Sequence, residues 1–249
     1  MNRAMPPATT IPDEALRLVL PAERLSAAAE AFARDGHVRI EPVFPPEIAE
    51  ALHDHLAHEV EWWRAVNRGG QTWDMGPEAI ASLQGEKEAE FLALVHRGAR
   101  EGFQFLFDSL RVSDDSAERM QRALLADRLV EGLNHPASLE TFRSITGSAK
   151  VRMVDGQATR YLPGHFLTGH DDDVEGKGRI AAWVLNLSPR WRIEWGGMLQ
   201  FHDDHCDVSR ALTPRFNALH LFRVPQRHSV SLVAPFAAPR YAFTGWVRW

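Results

Sequence analysis

From about Lys150 to Trp249 the chain is cut by turn residues into short runs, and this punctuation restricts its fold more than any other feature. Eight runs have strand character, at 150–155, 157–162, 165–170, 179–187, 197–203, 216–222, 227–234 and 240–248. Strands this short and this closely spaced predict a sandwich or barrel, and eight of them suit a jelly roll. Before Thr146-Gly147 the pattern changes. "AERLSAAAEAFARDG" predicts a helix stopped by Gly36, and "HVRIEPV" alternates as a strand does. "PPEIAEALHDHLAHEVEWWRAV" predicts a helix opened by Pro45 and Pro46. "NRGGQTWDMG" reads as a loop, and Pro77 to about Leu110 and Ala117 to Ser144 read as mostly helical. Residues 1 to about 12, polar and Pro-rich, read as a frayed tail. The expected class is α+β, with a double-stranded β-helix (jelly roll) in the C-terminal half packed against N-terminal and central helices.

Composition removes several function classes. The net charge is −5, with no block of like charges, so no basic face for nucleic acid is expected. The single cysteine, Cys206, allows no internal disulfide and suits a reducing compartment. The first residues lack the apolar centre of a secretory signal, and no apolar run nears the roughly 20 residues of a membrane span. The expected location is the cytoplasm, without membrane association.

The chemistry-bearing stretch is "QATRYLPGHFLTGHDDDVEGKGRIAAWVLNL", residues 157–187. Alternate residues of a strand share a face, so His170 and Asp172 can point the same way, about 7 Å apart along the chain. His228, in "VPQRHSVSLV", supplies a third donor. Two imidazoles and one carboxylate form the facial ligand set of non-haem Fe(II) oxygenases. A catalytic zinc site can use the same set. His202 and Asp204 have the same spacing as His170 and Asp172. However, His202 lies 26 residues before His228 and His170 lies 58 before it. Twenty-six residues look too few for a jelly-roll circuit, and "HDDH" has the look of a solvated turn.

In "PRYAFTGWVRW", Arg240, Ala242, Thr244 and Trp246 share one strand face. An arginine beside small residues suits a pocket that grips a carboxylate and leaves room for the ligand body. Arg240 follows His228 by 12 residues, which suggests neighbouring strands. Tyr161 precedes the Pro163-Gly164 break, so its face relative to His170 is open, and a core tyrosine is as consistent as a ligand-binding one.

"YLPGHFLTGHDD", "RIAAWVLNL", "WGGMLQF", "RHSV" and "RYAFTGW" occur in this order. Together they resemble the Fe(II)- and 2-oxoglutarate-dependent dioxygenases of the prolyl 4-hydroxylase-like branch, over about residues 134–249. The nearest likeness is to hypoxia-type and ribosomal-protein-type prolyl hydroxylases and their bacterial relatives. The resemblance implies one catalytic domain over 1–249, with 1–146 as a mainly helical support region and 147–249 as the jelly-roll core. It implies Fe(II) on His170, Asp172 and His228, and a salt bridge from Arg240 to the far carboxylate of 2-oxoglutarate. Tyr161 would hydrogen-bond the cosubstrate, Thr244 and Trp246 would line its pocket, and Arg179 would stand near the substrate mouth. Val184 departs from the hypoxia-type enzymes, which carry a tyrosine there. The implied reaction is O2-dependent hydroxylation of a C–H bond, with succinate and CO2 released and ascorbate as a candidate reductant. A prolyl residue in a protein or peptide is the leading substrate, ahead of a free amino acid or a small biosynthetic intermediate. A non-catalytic jelly-roll module binding a carboxylate or metal is the alternative of another class. The helical region 77–133 is a candidate cover for the site or a homodimer face.

Overall fold

The computed structural model describes residues 11–249. The frayed tail expected for residues 1 to about 12 lies almost wholly outside them, and Ile11, within them, is buried. The helices are α1 (Ala22–Asp35), α2 (Pro46–His58), α3 (Pro77–Ser82), α4 (Glu86–Glu101), α5 (Ser116–Arg122), α6 (Leu125–Asn134) and α7 (Pro136–Thr146). The early strands are β1 (His37–Ile40), β2 (Trp63–Arg68), β3 (Gln71–Met75) and β4 (Phe105–Arg111). The later ones are β5 (Met153–Val154), β6 (Gln157–Tyr161), β7 (Phe166–His170), β8 (Arg179–Asn186), β9 (Leu199–His202), β10 (Val208–Leu212), β11 (Ala218–Arg223), β12 (His228–Val230) and β13 (Arg240–Arg248).

All pairings are antiparallel and join in one curled sheet, in the order β1-β11-β8-β13-β6-β4-β7-β12-β9-β10. Its two halves face each other, as a double-stranded β-helix requires. β8, β11 and β13 bury both faces. Trp183, Leu185, Leu221 and Phe243 pack outward on Leu56, Leu129 and Phe142 of the helices. Ala182, Val184, Phe222 and Ala242 pack inward with Leu199 and Phe201 of the facing half. That two-sided burial explains why "IAAWVLNL" is almost continuously apolar. α1 stops where expected, because Gly36 takes the left-handed conformation (φ 69°) and returns its N–H to the Phe32 carbonyl.

Several expectations fail between residues 62 and 111. The expected loop "NRGGQTWDMG" is the β2–β3 hairpin, with Gly69 and Gly70 at φ 61° and 81° in its turn. Two adjacent positive φ angles give the turn twist that antiparallel strands favour, and glycine adopts them without a Cβ clash. The helix expected through Val66 ends at His58, and "WRAV" opens β2. The helix expected to reach Leu110 ends at Glu101, and "FLFDSLR" is β4. Among the described residues, 11–146 therefore contribute four strands as well as helices. β4 also joins the two halves of the sheet, since β6 and β7 lie end to end along it, opposite residues 108–111 and 105–106. β10, also unexpected, is exposed along most of its length and carries no burial pattern to signal it.

Candidate metal centre and adjoining cavity

His170 ends β7 and His228 opens β12, and the two pair across the strands with ring centroids 4.1 Å apart. Asp172 is not brought in by strand alternation. The chain leaves β7 and turns left-handed at Asp172 (φ 65°), a conformation aspartate tolerates better than most side chains. The turn swings the carboxylate back between the imidazoles. Oδ1 lies 3.4 Å from His170 Nε2, and Oδ2 lies 3.5 Å from His228 Nε2. Three adjacent ligands at about 2.1 Å from one ion stand about 3 Å apart, so these donors need move little to share a cation. Among the described residues this is the one group of three or more His, Cys, Asp or Glu side chains whose donors gather within 4.8 Å.

Both imidazoles are oriented in the same way. His170 Nδ1 lies 3.1 Å from the Thr168 carbonyl and His228 Nδ1 2.7 Å from the Gln226 carbonyl. A carbonyl only accepts, so each Nδ1–H donates and each Nε2 presents a bare lone pair to the centre. Burial pushes the His228 pKa down to about 4, with the neighbouring His170 adding to the effect, so the neutral ligand form prevails near pH 7. Burial raises Asp172, but the His170 contact and the charges of His228 and His170 outweigh it and hold the carboxyl below its ordinary value. Arg179 reinforces that carboxylate. Its Nη1 donates to the Asp172 carbonyl at 3.0 Å and lies 3.6 Å from Oδ1, while its guanidinium stacks 3.5 Å from the centre of the Trp246 ring. The structure thus places Arg179 against the carboxylate of the triad while it also lines the cavity.

The cavity, about 540 Å³, runs inward from the triad between the two halves of the sheet. Arg240 lines it and is buried, with 2% of its surface exposed. Nη2 donates to Asn186 Oδ1 at 3.0 Å, whereas Nε is buried without a partner. No carboxylate among the described residues pairs with Arg240. A buried guanidinium without an anion is costly, so this part of the cavity fits a carboxylate ligand. Tyr161 stands directly across the β6–β13 ladder, with its ring 5.3 Å from the guanidinium. Burial raises the Tyr161 pKa, so the phenol stays protonated. Thr244, Trp246 and Val184 also line the cavity. The residues present therefore fit a divalent ion at the triad and a carboxylate beside Arg240 in the same cavity.

The strand order departs from the expected spacing at two points. β12 and β13 are not neighbours; they lie in facing halves of the sheet, so Arg240 approaches the triad across the cavity. β9 is a direct neighbour of β12, with Phe201 opposite His228, so 26 residues do suffice to bring His202 alongside. His202 stays out of the cluster because its ring turns to Ser229, with Nε2 and Oγ 2.9 Å apart, on the side of β12 away from His228. Asp204 is exposed in the following turn. The β7 alternation is also reset. His170 pairs with His228 but Leu167 with Val230, and this bulge lets Leu167 and His170 both line the cavity.

The sequence reading missed Asn186, the partner of Arg240, although a lone amide inside "AAWVLNL" is a signal for a buried polar contact. The aromatic stripe in "EFLALVHRGAREGFQFLFDSL", read from sequence as helical and as core packing, is in its last part an aromatic wall of the cavity. Phe103, Phe105, Phe107 and Tyr161 stack in series with centroids 5.6, 5.3 and 5.3 Å apart, and Phe103 reaches His170 at 5.3 Å. The alternation in "FQFLF" is its sequence mark.

Residues 156–248 match the 2OG-Fe(II) oxygenase superfamily. A curated relative, prolyl 3-hydroxylase OGFOD1 of Mus musculus, is 30% identical over 118 residues, which take in 43% of this chain. The chain spans about a fifth of that relative, 21% of its length. Among solved structures, a Pseudomonas putida prolyl-4-hydroxylase aligns with a TM-score of 0.57 at 15% identity, over 90% of this chain and 98% of that one. A Trichoplax adhaerens prolyl hydroxylase in complex with a hypoxia inducible factor peptide fragment aligns at 0.51 and 17% identity, over 91% and 90%. SnoN, an α-ketoglutarate-dependent epimerase from nogalamycin biosynthesis, aligns at 0.54 and 16%, over 90% and 82%. The fold is therefore shared across that range of chemistry, and residues 156–248 of the chain are similar to the 2OG-Fe(II) oxygenases, the prolyl hydroxylases among them.

Proposed function

We propose that this chain is an Fe(II)- and 2-oxoglutarate-dependent hydroxylase of a prolyl residue in a protein or peptide, working as a single catalytic domain. One observation carries the cosubstrate assignment: the triad and the guanidinium of Arg240, which no carboxylate of the described residues pairs, line one cavity. His170, Asp172 and His228 would hold Fe(II), and their single carboxylate leaves the site with net positive charge for a dianionic chelator. Arg240, fixed by Asn186, would receive the far carboxylate, with Tyr161, Thr244 and Trp246 around the ligand body. The apolar walls keep water from these charges and strengthen their pairing. When bound, Fe(II) supplies the redox chemistry by which O2 and 2-oxoglutarate yield succinate, CO2 and a hydroxylated carbon.

The prolyl assignment rests on the activities for which the relatives above are named. The exposed mouth beside Phe103 and Val174 leaves an approach for an extended peptide. The epimerase neighbour keeps a small-molecule substrate as the second reading. A cytoplasmic setting suits the single exposed Cys206, and among the described residues no helix is long and apolar enough to cross a membrane. Ascorbate as a reductant belongs to the same proposal.

The test is anaerobic addition of Fe(II) and 2-oxoglutarate, followed by visible absorption. Wild-type protein should develop the weak metal-to-ligand charge-transfer band, and Asp172→Ala should lack or shift it. Succinate release on admitting air should be stimulated by proline-containing peptides. A folded wild-type protein without the band would defeat the cosubstrate assignment. Stimulation by small molecules alone would move the substrate to the second reading.

A further inference from the structure

Gln104 lies between helix α4 and strand β4 with 4% of its surface exposed, and every polar atom of its side chain is used. Oε1 accepts the N–H of Asn67 at 3.1 Å and that of Phe105 at 2.8 Å, while Nε2 donates to the Asn67 carbonyl at 3.1 Å. The β2–β4 ladder is recorded up to Val66 and Leu106. The side-chain amide extends it by one residue, taking the place of a peptide group for Asn67. α4 closes on it so tightly that a Cβ on Gly98 would stand 2.4 Å from Nε2.

The main chain of Gln104 faces the other way. Its N–H donates to Thr168 Oγ1 at 2.8 Å, and its carbonyl accepts from the Thr168 N–H at 2.9 Å and the Thr168 hydroxyl at 3.0 Å. Thr168 sits on the bulge of β7, where regular strand pairing is interrupted. Its carbonyl is the group that orients the His170 imidazole. The path therefore runs from the base of the β2–β3 hairpin, through one amide side chain, to the carbonyl that aims Nε2.

We propose that Gln104 is a positioning residue for His170, clamping the bulge so that the imidazole is held ready for the metal. The proposal rests on the reading of His170 as a ligand. Outer contacts of this kind change metal affinity by about 10–100-fold when removed. The bonds that hold the bulge at Thr168 end on the main chain of Gln104, whose own placement depends on its side-chain amide.

The test compares Co(II) binding and the thermal midpoint of the metal-free protein in Gln104→Met, Gln104→Glu, Thr168→Val and the double variant. Gln104→Met should weaken Co(II) about tenfold or more and shift the visible Co(II) bands. Gln104→Glu, which keeps the Oε1 acceptor, should lose less. The double variant should bind little worse than the weaker-binding single variant, since both act on one path. Ser138→Ala is the structural control: Ser138 is buried, bonded to Leu18 and Gly132, and far from β7 in the fold. It should lower the thermal midpoint and leave Co(II) affinity unchanged. Folded Gln104→Met that binds Co(II) within twofold of wild type overturns the proposal, as does an equal loss in Ser138→Ala. If Gln104→Met does not fold, Thr168→Val decides by the same criterion. Wild-type protein that takes up no Co(II) refutes the metal centre itself, and this role with it.

Discussion

Asp172 shows how much one residue can depend on its backbone. Its carboxylate meets both imidazoles because its φ is positive, so the side chain and the turn are selected together. Arg240 depends on its surroundings in another way. Asn186 occupies one nitrogen and Tyr161 faces the guanidinium, leaving Nε free for a carboxylate. Arg240→Met should raise the apparent 2-oxoglutarate requirement about 10–100-fold, the loss expected for charge-assisted hydrogen bonds. Isothermal titration in the presence of Mn(II) reads it, and an unchanged affinity would remove Arg240 from the pocket's function. Two histidines outside the triad make a pH prediction. Burial depresses His165 to about 4, and burial together with the charge of His37 depresses His220 to about 3. In the unfolded chain both titrate near the ordinary value of about 6.5, so below that pH the unfolded state binds more protons. Stability should therefore be full above about pH 6.5 and fall as the pH drops towards 4. Neither His220 nitrogen has a hydrogen-bond partner. Thus His220→Leu should flatten that slope, read as the difference in thermal midpoint between pH 7.5 and 5 in metal-free protein. An unchanged slope would show that His220 does not contribute to it.

At the level of elements, β4 is the decisive strand. It joins the two halves of the sheet and carries the aromatic wall, yet its sequence resembles the end of a helix because apolar residues crowd both of its faces. Phe105 and Phe107 face the cavity, while Leu106 packs outward with Val66, Val95 and Phe166. Asp108, fully buried, holds β2 and β6 to β4 through Arg64 at 2.9 Å and Arg160 at 2.7 Å. Asp108→Ala leaves two largely buried guanidinium groups uncompensated and should cost about 3–5 kcal/mol, measured by urea unfolding. A loss below about 1 kcal/mol would mean that solvent already screens the cluster. The "WGG" motif also becomes intelligible. Gly196 has φ 66°, and a Cβ there would come within 2.0 Å of the Leu232 carbonyl oxygen. At Gly197 a Cβ would press on the Arg240 side chain at 3.2 Å. Gly196→Ala should therefore destabilise the protein by more than the ~1 kcal/mol of an ordinary glycine replacement, and a smaller loss in the same urea assay would show that the two loops can part.

For the molecule as a whole, helices and sheet share one core. Leu52 and Leu56 of α2, Leu129 of α6 and Phe142 of α7 belong to the same buried cluster as Trp183 and Phe243 of the sheet. Residues 147–249 expressed alone would expose that face and lose β4, so they should lack a dispersed amide NMR spectrum; a dispersed spectrum would show the strand region to be self-sufficient. The sequence by itself determined the later strands except β10, the helices of the first half though not its strands β2 to β4, and the HxD, distal His and Arg that line the cavity. Each of these is written locally, in alternation, in turn residues, or in charged groups where apolar ones belong. Tertiary structure alone decided which HxD joins His228, since His170 and His202 lie on strands that both flank β12 and differ in which side their rings take. It also decided that Asp172 arrives by a left-handed turn, that Arg240 approaches from the facing half of the sheet, and that β4 is a strand. These outcomes depend on which surfaces meet after the sheet curls, and no local pattern contains that.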